Sequence, residues 1–284
     1  MPRTVWYPGH MNKGSRKIYE LAGKLDVIVE VRDSRAPSST SSPLIKALAK
    51  IKPVMRVLSR RDLADPEKLR MWLDRLKNTY SADLRKREGL SVIRREILKY
   101  SPEHREVRLA VVGIPNVGKS LLLNLLIGRS GAKVGNIAGV TKSVNWYRNS
   151  GMLIVDSPGI LDPHAEAGAH MILSWLGCAR AEVVGGYENA ALKLLKFLKY
   201  KDMAVLIPVN IEPDETEAVT LENIGRKYGC LISGGRVNME LAGQKFIEAF
   251  SSGRLGRFCL EEPDGDRAVD FRDHERDTEA VHIV

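Results

Sequence analysis

The chain has 284 residues, 44% hydrophobic and 28% charged, with a formal net charge of +9. It is too apolar for a disordered chain and long enough for one or two domains with a sizeable core. No apolar run approaches the roughly 18 residues that span a bilayer, the stretch Met1 to His10 lacks the apolar segment of a signal peptide, and Cys178, Cys230 and Cys259 form no CxxC pair; membrane, disulfide-framework and zinc classes are set aside and a cytoplasmic protein is expected.

In chain order, Val27 to Val31 reads as a buried strand that runs through charged residues into a Ser/Pro-rich loop, and Pro43 opens a helical pattern through Leu44, Ile45 and Leu48. A second strand, Val54 to Leu58, leads into Ser59-Arg60-Arg61-Asp62. A helix from Pro66 carries Leu69, Trp72, Leu73 and Leu76 on one face and ends at the short segment Thr79-Tyr80-Ser81-Ala82. Another helix, Val92 to Tyr100, precedes the apolar strand Val107 to Val112, and strands alternating with helices in this way predict a mainly parallel α/β sheet. Beyond residue 180 the periodicity is helical, through Ala190, Leu194, Leu195 and Leu198, then Leu221, Ile224 and Tyr228, then Phe246, Ile247 and Phe250. The expected domains are therefore 1–180, a helical domain at 181–262, and a disordered acidic tail at 263–284.

The chemistry begins at Gly113-Ile114-Pro115-Asn116-Val117-Gly118-Lys119-Ser120, a P-loop pattern between an apolar strand and the helical run Leu121 to Ile127. Glycines let backbone N–H groups wrap a phosphate at a helix N-terminus, so Asn116, Val117, Gly118, Lys119, Ser120 and Leu121 are expected to touch nucleotide. Lys119 would neutralise the β and γ oxygens and the Ser120 hydroxyl would ligate Mg²⁺. The strand Leu153 to Val155 ends at Asp156-Ser157-Pro158-Gly159, a DxxG sequence, where Asp156 would hold Mg²⁺ through water and the Gly159 amide would meet the γ-phosphate. Between these motifs lies a Gly-rich stretch, 131 to 139, followed by Thr141, a hydroxyl placed to complete the metal shell with GTP bound.

This set resembles the translation-factor class of GTPases, in which an [NT]KxD sequence reads guanine. Nothing downstream of Gly159 matches it well; upstream, Ser59-Arg60-Arg61-Asp62 follows a buried strand, with Tyr80-Ser81-Ala82 after the next helix. Base-recognition motifs ahead of phosphate motifs are the signature of a circularly permuted GTPase. Asp62 can accept from guanine N1–H and the exocyclic amine, a pairing adenine cannot offer, and the Ser81-Ala82 backbone would meet guanine O6. Arg60 is expected to stack its stem and guanidinium on the base, while Ser59 gives up the amide that braces the loop, so guanine affinity below the family norm and an ATPase both stay open.

Trp6-Tyr7-Pro8-Gly9-His10-Met11, the permuted order and Gly229-Cys230-Leu231-Ile232-Ser233-Gly234-Gly235 together resemble the RbgA/YlqF family of ribosome-assembly GTPases over about residues 5–262. The resemblance implies a P-loop GTPase fold of permuted order followed by a small helical C-terminal domain. It also implies GTP binding and hydrolysis in late maturation of the large ribosomal subunit, with precursor particles and their rRNA as partners and a monomer off the ribosome. The residue after Gly159 is Ile160, where Ras-like enzymes carry a water-orienting glutamine, so hydrolysis by the isolated protein is expected to be slow. Two compensations come with the resemblance: Asn116 matches an asparagine associated with bound K⁺, and His10 either reaches the reacting phosphate on the particle or ties down the Pro8-Gly9 turn. An RNA-binding chaperone that uses nucleotide only as a structural ligand is the competing reading.

The charge supports a phosphate-rich partner. Residues 1–100 hold 23 Lys and Arg against 11 Asp and Glu, 101–180 hold 8 against 5, 181–260 hold 10 against 10, and the last 24 hold 3 against 9. The cations expected to meet RNA are Lys13, Arg16 and Lys17, then Arg85, Lys86, Arg87, Arg94 and Arg95, and in the helical domain Lys193, Lys196, Lys199 and Lys201.

Overall fold

In the computed structural model, which describes residues 18–128, 131–134, 145–157 and 167–263, the apolar run Val27–Asp33 forms β1 and is buried along its whole length. Six further strands join it: β2 (Val54–Ser59), β3 (Thr79–Ser81), β4 (Val107–Gly113), β5 (Ala132–Val134), β6 (Trp146–Asn149) and β7 (Met152–Asp156). Among the described residues they make one sheet of order β3-β2-β1-β4-β7-β6-β5. β3, β2, β1, β4 and β7 are parallel, while β6 and β5 return antiparallel on one flank. Parallel strands covered on both faces need apolar residues at nearly every position, which is why β1 and β4 read as continuous rather than alternating runs. β4, the P-loop strand, lies between β1, which comes from the half expected to read the base, and β7, which ends at the DxxG sequence, so the permuted motif order closes into one sheet.

One side of the sheet is covered by Ile18, Leu21, Ala22 and Leu25 together with Leu44, Ile45 and Leu48, the last two on the short helix α1 (Ile45–Leu48). These meet Ile28, Ala110, Val112, Trp146, Leu153 and Val155. A second cluster joins Leu58 and Ala64 to Leu69 and Trp72 of α2 (Pro66–Arg75), with Leu73 and Leu76 packed at its margin. α2 starts where Pro66 predicts, because Asp65 caps it by accepting from the amides of Glu67 and Lys68 at 3.0 and 2.9 Å. α3 (Leu90–Leu98) starts two residues earlier than its apolar pattern predicts, capped by Gly89 at φ 84°. The β5–β6 hairpin lies outside the predicted elements; β5 is three residues within the Gly-rich stretch, too short to show alternation. α4 (Lys119–Ile127) follows the P-loop.

The described residues up to 157, with Arg257–Leu260, make this first unit, and those of 167–256 with 261–263 make the second. The second is helical: α5 (Ala167–Trp175), α6 (Gly186–Tyr200), α7 (Glu217–Lys227) and α8 (Met239–Ser251). Its core gathers around Trp175, whose indole N–H donates to Ala190 O at 2.8 Å and whose ring meets Phe197 at 5.3 Å between centroids. Glu240 on α8 accepts from the Tyr187 and Glu188 amides at 2.8 Å each, placing a carboxylate at the α6 N-terminus. These units differ from the expected domains in two places. α5 precedes the boundary drawn at 180 yet packs with the helical unit, and Arg257–Leu260, expected in the helical domain, lies in the first unit. Among the described residues, no helix is long and apolar enough to cross a membrane.

Candidate functional site

The five parallel strands end at Asp33, Ser59, Ser81, Gly113 and Asp156, all on one edge of the sheet, the edge where open parallel sheets bind ligands. The P-loop leaves β4 with Asn116 and Gly118 in the left-handed region, at φ 57° and 102°, and α4 begins at Lys119. Such a turn ahead of a helix N-terminus presents successive backbone N–H groups to an anion. Gly118 is also tightly packed, since a Cβ there would lie 3.3 Å from both the Cβ and the Oγ of Ser59. Val117 is buried beneath the loop, and Ser120 and Leu121 are exposed on the first turn of α4. Lys119 is mostly buried, and its Nζ lies 2.8 Å from Oδ1 of the half-exposed Asp156. The neighbouring Ser157 hydroxyl donates to Val111 O at 2.7 Å, fixing the turn after β7 to the P-loop strand.

The Ser59–Asp62 loop, expected to read the base, is fastened to the P-loop. Ser59 is buried, and its hydroxyl lies 2.6 Å from Val117 O and 3.1 Å from Arg32 O. Arg60 takes a left-handed conformation at φ 56°; its Nη2 donates to Asn116 O at 2.8 Å and its Nη1 is 3.3 Å from Asp33 Oδ2. One expectation changes here: Ser59 does brace the loop, through its hydroxyl rather than an amide. The Arg60 guanidinium, expected to stack on the base, is held through its N–H edge by a P-loop carbonyl and by Asp33, contacts that do not use its face. Arg61 pairs with Glu88 at 2.6 Å, and its amide donates to Ala82 O at 3.3 Å, while the Ala82 amide donates to Leu58 O at 2.9 Å. Ser81 and Ala82 are thus held beside the half-buried Asp62, whose carboxylate makes no hydrogen bond or ion pair among the described residues.

Beneath this loop lies an ion pair that the motifs did not single out. Asp33 is fully buried and accepts at Oδ1 from the amide and Nε of Arg35, at 3.0 and 2.9 Å, and at Oδ2 from Arg35 Nη2, at 2.8 Å. Burial pushes its carboxyl up, but the charge and hydrogen bonds of Arg35, and then the charge of Arg60, outweigh it and hold Asp33 below the ordinary carboxylate range. The sequence signal was present, as three charges closing a strand that is otherwise apolar.

His10, Thr141 and Gly159 lie outside the described residues, as do Ile160, Lys13, Arg16 and Lys17. Of the other cations expected at RNA, Arg94 donates to Leu125 O, Arg95 pairs with Glu96 at 3.3 Å, and Lys199 is taken by Glu215 O and Glu217. Arg85, Lys86 and Arg87 stand exposed on a hairpin whose ends, Asp83 and Glu88, are bridged. The Asp83 carboxylate accepts from the Arg85 and Lys86 amides at 3.0 and 3.1 Å, which stiffens the tip.

Known proteins are similar to this chain in sequence and in fold. The family described as 50S ribosome-binding GTPase matches residues 108–210, starting in the P-loop strand. The ribosome biogenesis GTPase A of Bacillus pumilus is 30% identical over 279 residues, spanning 91% of this chain and 98% of its own. That of Thermotoga maritima is 30% identical over 260 residues, spanning 91% and 94%. Among solved structures, GDP-bound YlqF superposes with a TM-score of 0.66 at 26% identity, over 87% of this chain and 99% of its own. GNP-bound YlqF from T. maritima gives 0.67 at 25% identity, over 89% and 99%.

Proposed function

The chain belongs to the ribosome biogenesis GTPase A family, whose members hydrolyse GTP in ribosome assembly, and from that membership we propose that it acts on late precursors of the large ribosomal subunit, contacting their rRNA. The observation that carries the reading is the joined loop pair, in which Ser59 and Arg60 of the base loop grip the carbonyls of Val117 and Asn116 in the P-loop. Guanine and phosphates would then be held by one connected surface. Asp62 reads the base, Ser81 and Ala82 close over O6, and Lys119 with the α4 amides takes the phosphate charge.

The hydroxyl of Ser120 and the carboxylate of Asp156 are hard oxygen donors that suit Mg²⁺, which takes few protein ligands beside phosphate and water, and Lys119, next to Ser120 in the chain, lies 2.8 Å from Asp156. Thr141 would join them. When bound, the ion neutralises charge on the β- and γ-phosphate oxygens. Lys119, at the start of α4 and beside Asp156, would share that work on the phosphate charge. Asn116, exposed in the P-loop, is the residue for K⁺, and Gly159 with His10 is the reading for the reacting end.

The test is GTP turnover with and without large-subunit precursors, paired with cosedimentation in a non-hydrolysable analogue. Binding that depends on the analogue, with turnover stimulated by the particle, is expected. Unstimulated turnover with nucleotide-independent binding would instead show an RNA-binding scaffold.

A further inference from the structure

The last four residues of the first unit return from far along the chain to the loops that carry base recognition. Phe258, Cys259 and Leu260 are buried. The Phe258 amide donates to Leu63 O at 3.1 Å, next to Asp62, and the Leu260 amide donates to Arg35 O at 2.8 Å. Between them the Cys259 thiol lies 3.6 Å from Ser34 O and packs against Leu58, Ala64, Leu69 and Trp72. Burial pushes that thiol up to about 12, so it serves as packing rather than as a nucleophile. The Arg35 guanidinium sits 5.4 Å from the centre of the Phe258 ring, and the same guanidinium holds Asp33, which in turn meets Arg60.

We propose that Phe258–Leu260 is a clasp for guanine recognition, joining the Asp33–Arg35 turn to the Arg60–Leu63 turn and thereby setting where Asp62 presents its carboxylate. The clasp touches no nucleotide; its residues are positioning residues. It acts on two strands of support at once. Phe258 holds Leu63 directly through the backbone, and it holds Arg60 indirectly, through Arg35 and Asp33. The P-loop is fastened at Val117 by Ser59, outside the clasp, and at Asn116 by Arg60, within its indirect reach. Loosening the clasp therefore alters base selection, which is read as the ratio of affinities for two nucleotides that carry the same phosphates.

This inference rests on Asp62 reading guanine, and inosine nucleotides test both, since inosine lacks the exocyclic amine that guanine offers to Asp62. The affinities of GDP and IDP are measured by titration for the full chain, for Phe258→Ala, for Phe258→Leu, which keeps apolar bulk without an aromatic face, and for Phe258→Tyr. Ile97→Ala, a buried site on α3, serves as a control for lost stability alone. The GDP-over-IDP preference is expected to fall about tenfold in Phe258→Ala, the middle of the range for residues coupled through one network. It falls in part in Phe258→Leu, returns in Phe258→Tyr, and is kept in Ile97→Ala. If the wild-type chain shows no preference, the Asp62 assignment fails and the clasp with it. If the wild type prefers GDP and whichever of Phe258→Ala and Phe258→Leu folds keeps that preference, the clasp alone is overturned.

Discussion

Asp33 joins three jobs in one carboxylate: it ends β1, neutralises Arg35 and restrains Arg60. A buried ion pair is weak support for net stability when compared with apolar packing, but deleting one partner strands the other without solvent, at a cost of about 3–5 kcal/mol. Asp33→Asn is therefore expected to lose roughly that much at neutral pH, read from denaturant midpoints. The pH dependence follows from the sign of the shift. The folded protein holds Asp33 below its ordinary value, so the stabilisation is complete above the ordinary carboxylate range and drains away as pH falls through the depressed folded value. The gap between wild type and Asp33→Asn should close as pH falls below about 4, and a gap constant down to pH ~3 would show that ionisation of Asp33 is not what stabilises it. At this scale the sequence was legible where chemistry demands a fixed pattern. Lys119, Ser120 and Asp156 stand out in the sequence because phosphate and metal accept few substitutes, and the structure brings Lys119 Nζ to 2.8 Å from Asp156 Oδ1. The grip of Ser59 on Val117 O was not, because a hydroxyl reaching a backbone carbonyl 58 positions away leaves no mark in local composition.

Elements were legible where burial imposes a period. β1 and β4 declared themselves as apolar runs, α2 by its Asp-Pro start, and the helical unit by its repeating leucines and phenylalanines. Boundaries were not, and α3 shows why. Gly89 both caps that helix at φ 84° and lies against β3, where a Cβ would sit 2.7 Å from Ser81 O. The helix start is set by a tertiary contact that propensity does not encode. Gly89→Ala should cost about 1–3 kcal/mol of stability and should weaken GDP binding by displacing Ser81. Gly23→Ala, where nothing lies within 4 Å of the added methyl, should change neither measurement. Equal effects at the two positions would remove Gly89 from the nucleotide site.

For the whole molecule, the net charge of +9 resolves into cations with different duties. Arg35, Arg60, Arg94 and Lys199 are spent internally, whereas Arg85, Lys86 and Arg87 project from a stiffened hairpin and make no side-chain ion pair among the described residues. A counterion is released for each phosphate a protein neutralises, so replacing those three by alanine should flatten the salt dependence of particle binding by a slope of about 2–3, with GDP affinity unchanged. An unaltered slope would move the RNA-facing surface elsewhere. Synthesis runs in one direction, and the clasp follows every nucleotide motif. Ser34 emerges 225 residues before Cys259. At ~5–20 residues per second, that interval is about 10–45 s, and for the last 100 residues of it, from Gly159 to Cys259, about 5–20 s, every nucleotide motif of the chain is already made. A growing chain thus carries its P-loop and base loop unclasped, and the clasp defers selective capture of guanine nucleotide until residues 258–260 have been made.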